Sequence, residues 1–180
     1  MAKDFDPYRL DVRRFAEEAG VLQAAAELRS LPRLSAETVD ADPALPVHWR
    51  ARGELLNPQH VAPEVWLHLE ADAVLPLVCQ RCLAPVEHPA AVERSFRFVD
   101  DEATAAAEDD ESEEDLLALS HSFDLVELLE DELLMELPVA PRHEVCPQPV
   151  KMSAVDAGFD AAGAQKENPF AVLGRLKTGK

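Results

Sequence analysis

The sequence is poor in cysteine, in aromatic residues and in positive charge. Its 180 residues include three cysteines and only 6% aromatic side chains, and 17 Lys and Arg stand against 35 Asp and Glu. The odd number of cysteines does not suggest a disulfide framework. The formal net charge of −18 repels nucleic acid phosphates at long range and attracts basic partners.

Long apolar runs and recognised catalytic patterns are also lacking. No uninterrupted apolar run approaches the roughly 20 residues of a membrane span, and no apolar signal peptide opens the chain. We therefore expect a soluble cytoplasmic protein, in which thiols are reduced or metal-bound. The sequence has no glycine-rich phosphate loop, no Gly-x-Ser-x-Gly elbow and no HExxH helix, so we predict no catalytic residues.

Three segments alternate apolar and polar residues as half-buried strands do. They cover residues 47–55, 65–77 and 86–99, and we expect the first two to form an antiparallel pair. Residues 21–31 also alternate, which favours a strand over a helix. A tight turn that carries Cys79 and Cys82 separates the second and third segments.

Two segments have helical signals. Asp6-Pro7 is typical of a helix entry, and residues 13–19 are expected to be helical up to a stop at Gly20. A longer helix is predicted to begin after Asp124, whose side chain can cap it, and to end at Pro138. One face of this helix carries Leu125, Leu128, Leu129 and Leu133.

Together these patterns predict an α+β fold: a small antiparallel β-sheet body with a CxxC turn between strands and flanking helices. We assign residues 1–147 to a single α+β domain, and residues 148–180 to a mostly flexible tail with a short helix at 169–177. Between Asp100 and Asp115 lie ten acidic residues and no Lys or Arg. Residues 100–118 are therefore expected to form an acidic, disordered loop.

The cysteines and one histidine predict a metal site. Two residues between Cys79 and Cys82 let one turn present both sulfurs to a zinc ion, and His143 and Cys146 can complete the set. A closed site of this kind would be structural, because no position remains for water. The alternatives are buried or free thiols beside a surface histidine, and a redox CxxC pair, which Pro85 disfavours.

Arginines near this turn form a candidate contact surface for RNA or another partner. Arg81 lies inside the CxxC turn and Arg142 precedes His143, so a folded site would bring two guanidiniums together to grip phosphate. Strand residues that could extend a basic face are Arg50, Arg52, Arg94 and Arg97. The alternative is that these arginines are solvated beside acidic neighbours.

Several motifs, taken in order, also carry a family resemblance. They are Cys79-Gln80-Arg81-Cys82-Leu83, Asp124-Leu125 with Glu130-Asp131-Glu132-Leu133-Leu134 and Leu137-Pro138, Pro141-Arg142-His143 with Cys146, and Asn168-Pro169-Phe170-Ala171-Val172-Leu173. In this arrangement the sequence resembles the bacterial YceD family, the large ribosomal RNA subunit accumulation proteins. Met135, where leucine is expected, and the alanine-rich residues 23–26 depart from the family pattern.

The resemblance implies a non-catalytic factor in ribosome biogenesis that supports the synthesis, processing or stability of large-subunit ribosomal RNA. The expected partner is a large-subunit rRNA precursor, as the resemblance implies, or a basic ribosomal protein, which the acidic segment could attract. No membrane partner is expected. Two alternatives stay open. One is a zinc-stabilised adaptor for a basic protein, and the other is an RNA-processing enzyme, for which the sequence offers no evident carboxylate or histidine cluster.

Overall fold

A long hairpin of two 15-residue strands forms the centre of the fold. The computed structural model describes residues 5–59 and 63–148. Two short 3₁₀ turns, Leu28–Ser30 and Asp109–Glu111, lie between the other elements. In chain order the helices and strands are α1 (Val12–Glu17), β1 (Val21–Glu27), α2 (Pro32–Glu37), β2 (Pro46–Leu56), β3 (Glu64–Val78), β4 (Pro85–Val99), α3 (Glu102–Glu108), β5 (Asp115–Ala118) and α4 (Leu125–Glu136).

The five strands form one sheet in the order β1-β2-β3-β4-β5. β1 to β4 are antiparallel neighbours, with Ala51 opposite Leu69 and Leu69 opposite Arg94. The predicted strands and the α+β class are confirmed. The sheet is mixed rather than wholly antiparallel, however, because the chain returns through α3 after β4, so that β5 runs parallel to β4.

Helices α1 and α4 pack on one face of the sheet, where the apolar side chains of β2, β3 and β4 are buried, and α2 packs against α4. Phe15 of α1 packs closely over β2: a Cβ atom built at Gly53 would lie 2.7 Å from its ring and 2.8 Å from its carbonyl carbon. α1 begins after Asp11, which accepts a hydrogen bond from the Arg14 N–H. The predicted entry at Asp6-Pro7 is wrong, because the Asp6 side chain instead caps a separate turn at Tyr8.

Helix α4 has the start and the end that its sequence predicts. The Asp124 carboxylate accepts hydrogen bonds of 3.0 Å from the N–H groups of Val126 and Glu127, which satisfies two of the free donors at the helix start. Its buried face includes Leu125, Leu129 and Leu133. The helix ends at Glu136, two residues before Pro138, and so directs the following chain back toward the tip of the β3–β4 hairpin.

The acidic segment is ordered, and the expectation of a disordered loop over residues 100–118 is wrong. The Asp101 side chain accepts the Thr104 N–H at 2.8 Å, and the alanines that follow favour a helix. Ala105 packs with Val99 and Leu116 in a small second cluster, on the sheet face opposite α4. These local contacts outweigh the charge repulsion on which the sequence expectation depended.

The described residues up to Cys146 belong to one compact unit. The predicted helix at 169–177 and nearly all of the predicted tail lie outside the described residues, so the division into domain and tail stays a prediction. Within the part of the chain that the structure describes, no helix is long and apolar enough to cross a membrane.

Candidate metal centre

The connection between β3 and β4 folds into a tight turn around Cys79. Its backbone is closed by hydrogen bonds from the Cys79 N–H to the Ala84 carbonyl (3.0 Å) and from the Leu83 N–H to the Cys79 carbonyl (2.8 Å). The second of these bonds accompanies a left-handed backbone at Leu83, with φ of 62°. The turn buries Cys79 and leaves Cys82 half-buried beside it.

The chain that follows α4 completes the cluster. The Gln80 N–H donates a 2.8 Å hydrogen bond to the Pro141 carbonyl, which fixes residues 141–146 against the turn. The ligand atoms of Cys79, Cys82, His143 and Cys146 then all lie within 4.8 Å of one another, and Cys82 Sγ is 3.4 Å from His143 Nδ1. We refer to residues 79–84 together with residues 141–146 as the knuckle.

The donor set and its spacing fit a zinc ion. At usual zinc bond lengths, a tetrahedral site needs about 3.8 Å between two sulfurs and about 3.5 Å between a sulfur and a nitrogen. The Cys82–His143 distance of 3.4 Å already meets this requirement. Three thiolates and one imidazole suit zinc, and a four-ligand set leaves no open position.

The thiols of the knuckle are electrostatically distinct. Burial raises the pKa of Cys79, but N–H groups of His143, Cys82 and Arg81 hydrogen-bond to its sulfur and lower the pKa to about 5. The pKa of Cys146 is raised by burial and then by its neighbours Cys82 and Cys79. Cys79 is therefore a thiolate at neutral pH, the form that binds a metal cation.

A known protein family matches the part of the chain that contains the knuckle. A family model described as large ribosomal RNA subunit accumulation protein YceD covers residues 67–177. The chain belongs to the YceD family. The matched range begins within β3 and includes all four residues of the candidate metal centre of this YceD protein. No solved structure matches the chain.

The six arginines proposed as partner contacts do not share one surface of the YceD protein. Arg81 and Arg142 are exposed at the knuckle. Arg50, Arg52 and Arg97 lie on the sheet face opposite α4, which we call the outer face. By strand parity Arg94 points to the other face, where its Nε lies 3.5 Å from Glu132 of α4.

The outer face carries a polar network that the sequence analysis missed. His68 Nδ1 lies 2.8 Å from Ser95 Oγ, and His68 Nε2 lies 2.9 Å from Glu54 Oε2, so three strands are joined side chain to side chain. Hydrogen bonds from Arg52 and then from His68 lower the pKa of Glu54. The alternation of apolar and polar residues in the sequence does place these three residues on one face of the sheet. Their cross-strand register was not visible in the sequence.

Ser95, His68 and Glu54 are the residue types of a catalytic triad, but their surroundings differ from those of an active site. The large open cavity on the outer face, of about 720 Å³, is lined by residues such as Arg50, Glu70 and Glu93 and not by Ser95 or His68. Ser95 itself is exposed on the strand. The arrangement accounts for side-chain contacts that join β2, β3 and β4.

Proposed function

We propose that this YceD protein is a non-catalytic factor in ribosome biogenesis that supports the accumulation of large-subunit ribosomal RNA, and that a structural zinc ion holds its knuckle. The observation that carries the proposal is the convergence of Cys79, Cys82, His143 and Cys146 within the range matched by the family model. The family description supports the ribosomal role, and the donor chemistry supports the metal.

A structural role for the metal follows from where its ligands lie in the chain. Cys79 and Cys82 belong to the hairpin turn, and His143 and Cys146 follow α4, more than 60 residues later. An ion bound by all four would cross-link the β3–β4 hairpin to the chain that leaves α4. The site exists only in the folded chain, so the free energy of metal binding would add to the free energy of folding. The metal would then stabilise the folded body and would not take part in a reaction.

The proposed setting is the cytoplasm, where precursor ribosomal RNA is made and thiols stay reduced. Under these conditions a set of three cysteines is retained as thiolate ligands rather than as disulfides. The proposed partner is a large-subunit precursor, contacted through its RNA or through a ribosomal protein bound to it.

The test is complementation of a strain that lacks the gene, with the ratio of large-subunit to small-subunit ribosomal RNA as the readout. The wild-type gene should restore the ratio, and His143→Asn should not. His48→Asn is the matched control, because the His48 side chain is exposed on the outer face and has no hydrogen bond among the described residues. A normal ratio in the strain without the gene would overturn the proposal.

A tagged purification from native lysate, with and without ribonuclease, tests the partner. Large-subunit precursor RNA should be recovered with the wild-type protein. Loss of co-purifying ribosomal proteins after ribonuclease treatment would mean that RNA forms the bridge, and their persistence would mean direct protein contact. Recovery of neither class would contradict the assembly role.

A second candidate function, a zinc-stabilised adaptor for a basic protein, is favoured by the ordered acidic segment. Helix α3 fixes carboxylates in place at one end of the sheet, so less conformational entropy is lost on binding than from a disordered tail. Replacing exposed Glu102, Asp109 and Glu111 with amides should then slow association and flatten its salt dependence. Unchanged association kinetics would remove α3 from the contact.

A further inference from the structure

We propose that the knuckle is a binding site for single-stranded RNA, in which Arg81 and Arg142 contact phosphates and Leu83 and Val145 pack against bases. This inference rests on the proposed function and names the contact surface that the proposed function leaves open. The proposed site is smaller than the basic face expected from the sequence, because it does not include the arginines on the strands.

The first argument is the pairing of arginines. Seven of the eleven described arginines form ion pairs with carboxylates, as Arg33 does with Glu130 and Arg97 with Glu108. Arg81 and Arg142 are exposed and form none among the described residues. Arg9 and Arg50 also lack an ion pair among the described residues, but Arg81 and Arg142 lie together at the knuckle, in a chain with 35 acids against 17 bases.

The second argument is their placement. The hydrogen bond between Gln80 and Pro141 joins the two residues that immediately precede Arg81 and Arg142. The two guanidiniums therefore leave neighbouring points of backbone that are held together by the fold. A planar guanidinium matches the geometry of a phosphate with two parallel hydrogen bonds, and it can also stack on a base.

The third argument is exposed apolar surface at the same site. Leu83 is 75% exposed and Val145 is 85% exposed, although most large apolar side chains of the described residues are buried or half-buried. Leu83 also adopts φ of 62°, a left-handed conformation that is unfavourable for a leucine and that glycine adopts readily. An apolar side chain kept exposed on a strained backbone indicates a contact that is absent from the isolated chain.

A groove beside Arg142 extends this surface. Its volume is about 290 Å³, and it is lined by residues that include Val86, His88, Pro138 and Pro141. Its lining combines apolar Val86 and the two prolines with the polar side chains of His88 and Arg142. This mixture suits a nucleotide, whose base is flat and apolar on its faces and whose phosphate is anionic. Two carboxylates lie near the two arginines, because Glu87 also lines the groove and Glu144 lies in the knuckle.

The acidic segment does not cancel this local charge. β4 starts at the knuckle and ends at the acidic segment, and its 15 residues span about 45 Å at roughly 3.3 Å per residue. At physiological salt the screening length is about 8 Å, so charges at the far end of β4 have little effect on a phosphate at the knuckle. The net charge of −18 therefore does not prevent anion binding there.

RNA fits these features better than a protein partner does. Two free arginines would require an acidic protein surface, whereas the strongly acidic chain attracts basic proteins. Single-stranded RNA supplies phosphates for Arg81 and Arg142 and exposed base faces for Leu83 and Val145. A duplex hides its base faces, so it lacks the second set of contacts.

The experiment measures binding of a short, fluorescein-labelled single-stranded RNA of mixed sequence to the zinc-loaded full chain by fluorescence anisotropy. Two phosphate contacts predict that the logarithm of the binding constant falls with the logarithm of salt concentration with a slope of about −1.4. Arg81→Ala and Arg142→Ala should each weaken binding by roughly three- to tenfold and reduce the slope to about −0.7.

Two controls separate contact from folding. Arg50→Ala removes the same charge from an exposed arginine that has no ion pair among the described residues and lies beside Glu70, Asp72 and Glu93, and it should bind RNA as wild type does. Leu83→Gly relieves the left-handed strain while it removes the apolar tip. We expect this variant to be at least as stable as wild type and to bind the RNA more weakly.

Binding that is unchanged in the Arg81→Ala/Arg142→Ala double variant, or absent from the zinc-loaded wild type at low salt, would overturn the inference. Equal or tighter binding of the same RNA annealed to its complement would contradict the contact with bases. Failure here is distinct from failure of the proposed function. If His143→Asn lowers large-subunit RNA in cells and the double arginine variant does not, the function stands and the RNA contact at the knuckle falls.

Discussion

The Gln80 N–H and the Pro141 carbonyl form a 2.8 Å hydrogen bond between residues 61 positions apart in the chain. This bond joins the hairpin turn to the chain that leaves α4, and with it the two halves of the metal-ligand set. Neither half is a zinc site alone, because each supplies only two ligands. The geometry of α4, which begins at a firm cap and ends before Pro138, decides that the halves meet.

Removing the metal should destabilise the body. We expect one zinc ion per chain by elemental analysis, and Cys82→Ser should lose it and lower the melting temperature by roughly 10 °C or more, since the ion cross-links β3–β4 to the residues after α4. Chelation of the wild-type protein should lower the melting temperature to a similar value. A wild-type protein that is metal-free and equally stable would contradict the structural site.

Replacement of the buried Glu130 should destabilise the fold. This buried carboxylate accepts the N–H of Arg33 at 2.7 Å, the N–H of Leu34 at 3.1 Å and the Arg33 Nε at 3.0 Å, so it holds the start of α2 to α4. Glu130→Gln should lower the free energy of unfolding by about 2 kcal/mol, because buried N–H groups lose a charged acceptor.

Urea denaturation measures this effect, and Asp131→Asn is its control. Asp131 also pairs with Arg33 but is half-exposed, so its replacement should cost below about 0.5 kcal/mol. Equal losses for the two variants would show that burial does not distinguish these carboxylates.

The buried carboxyl of Glu132 should make the free energy of unfolding fall as pH rises. Burial raises its pKa above the ordinary value of 4.5, Arg94 opposes this shift, and Asp115 and Asp131 add to it. Well below pH 4.5 the carboxyl is protonated in both the folded and the unfolded state, and no penalty arises. As pH rises from 4.5 through the raised pKa of the folded state, the unfolded state loses its proton first and stability falls.

Glu132→Gln should therefore gain stability over wild type as pH rises through this range, and the difference should vanish at lower pH. Thermal unfolding at a series of pH values measures it. Glu87→Gln, at an exposed position on β4 without an ion pair among the described residues, should show no such trend. A constant difference across pH would refute the assignment to Glu132.

Gly53 should not tolerate alanine. A Cβ atom there would lie 2.7 Å from the Phe15 ring and 2.8 Å from the Phe15 carbonyl carbon and oxygen, so α1 would have to move away from β2. Overpacking of this kind costs about 1–3 kcal/mol, and we expect the upper part of that range because backbone as well as ring is contacted. Chemical denaturation of Gly53→Ala measures it, and a wild-type midpoint would show that α1 packs loosely.

Local sequence patterns predicted much of the sheet and the principal helix. Period-two alternation located β2, β3 and β4, since a strand with one buried face must alternate. Asp124 marked the start of α4, because an N-cap depends only on neighbouring residues. Composition misled at residues 100–118, where charge density suggested disorder and a local cap with four alanines and their packing produced a helix.

The sequence by itself determined the ligand chemistry of this protein, the alternation of its strands and the cap of α4, because each depends on residue type and short spacing. Only the tertiary structure decided that His143 and Cys146 reach Cys79 and Cys82. It also decided that Arg81 and Arg142 form no ion pair among the described residues and that Arg94 points to the other face. These relationships depend on strand register and on the path of the chain after α4. Both are set by packing between segments distant in sequence, which no local pattern records.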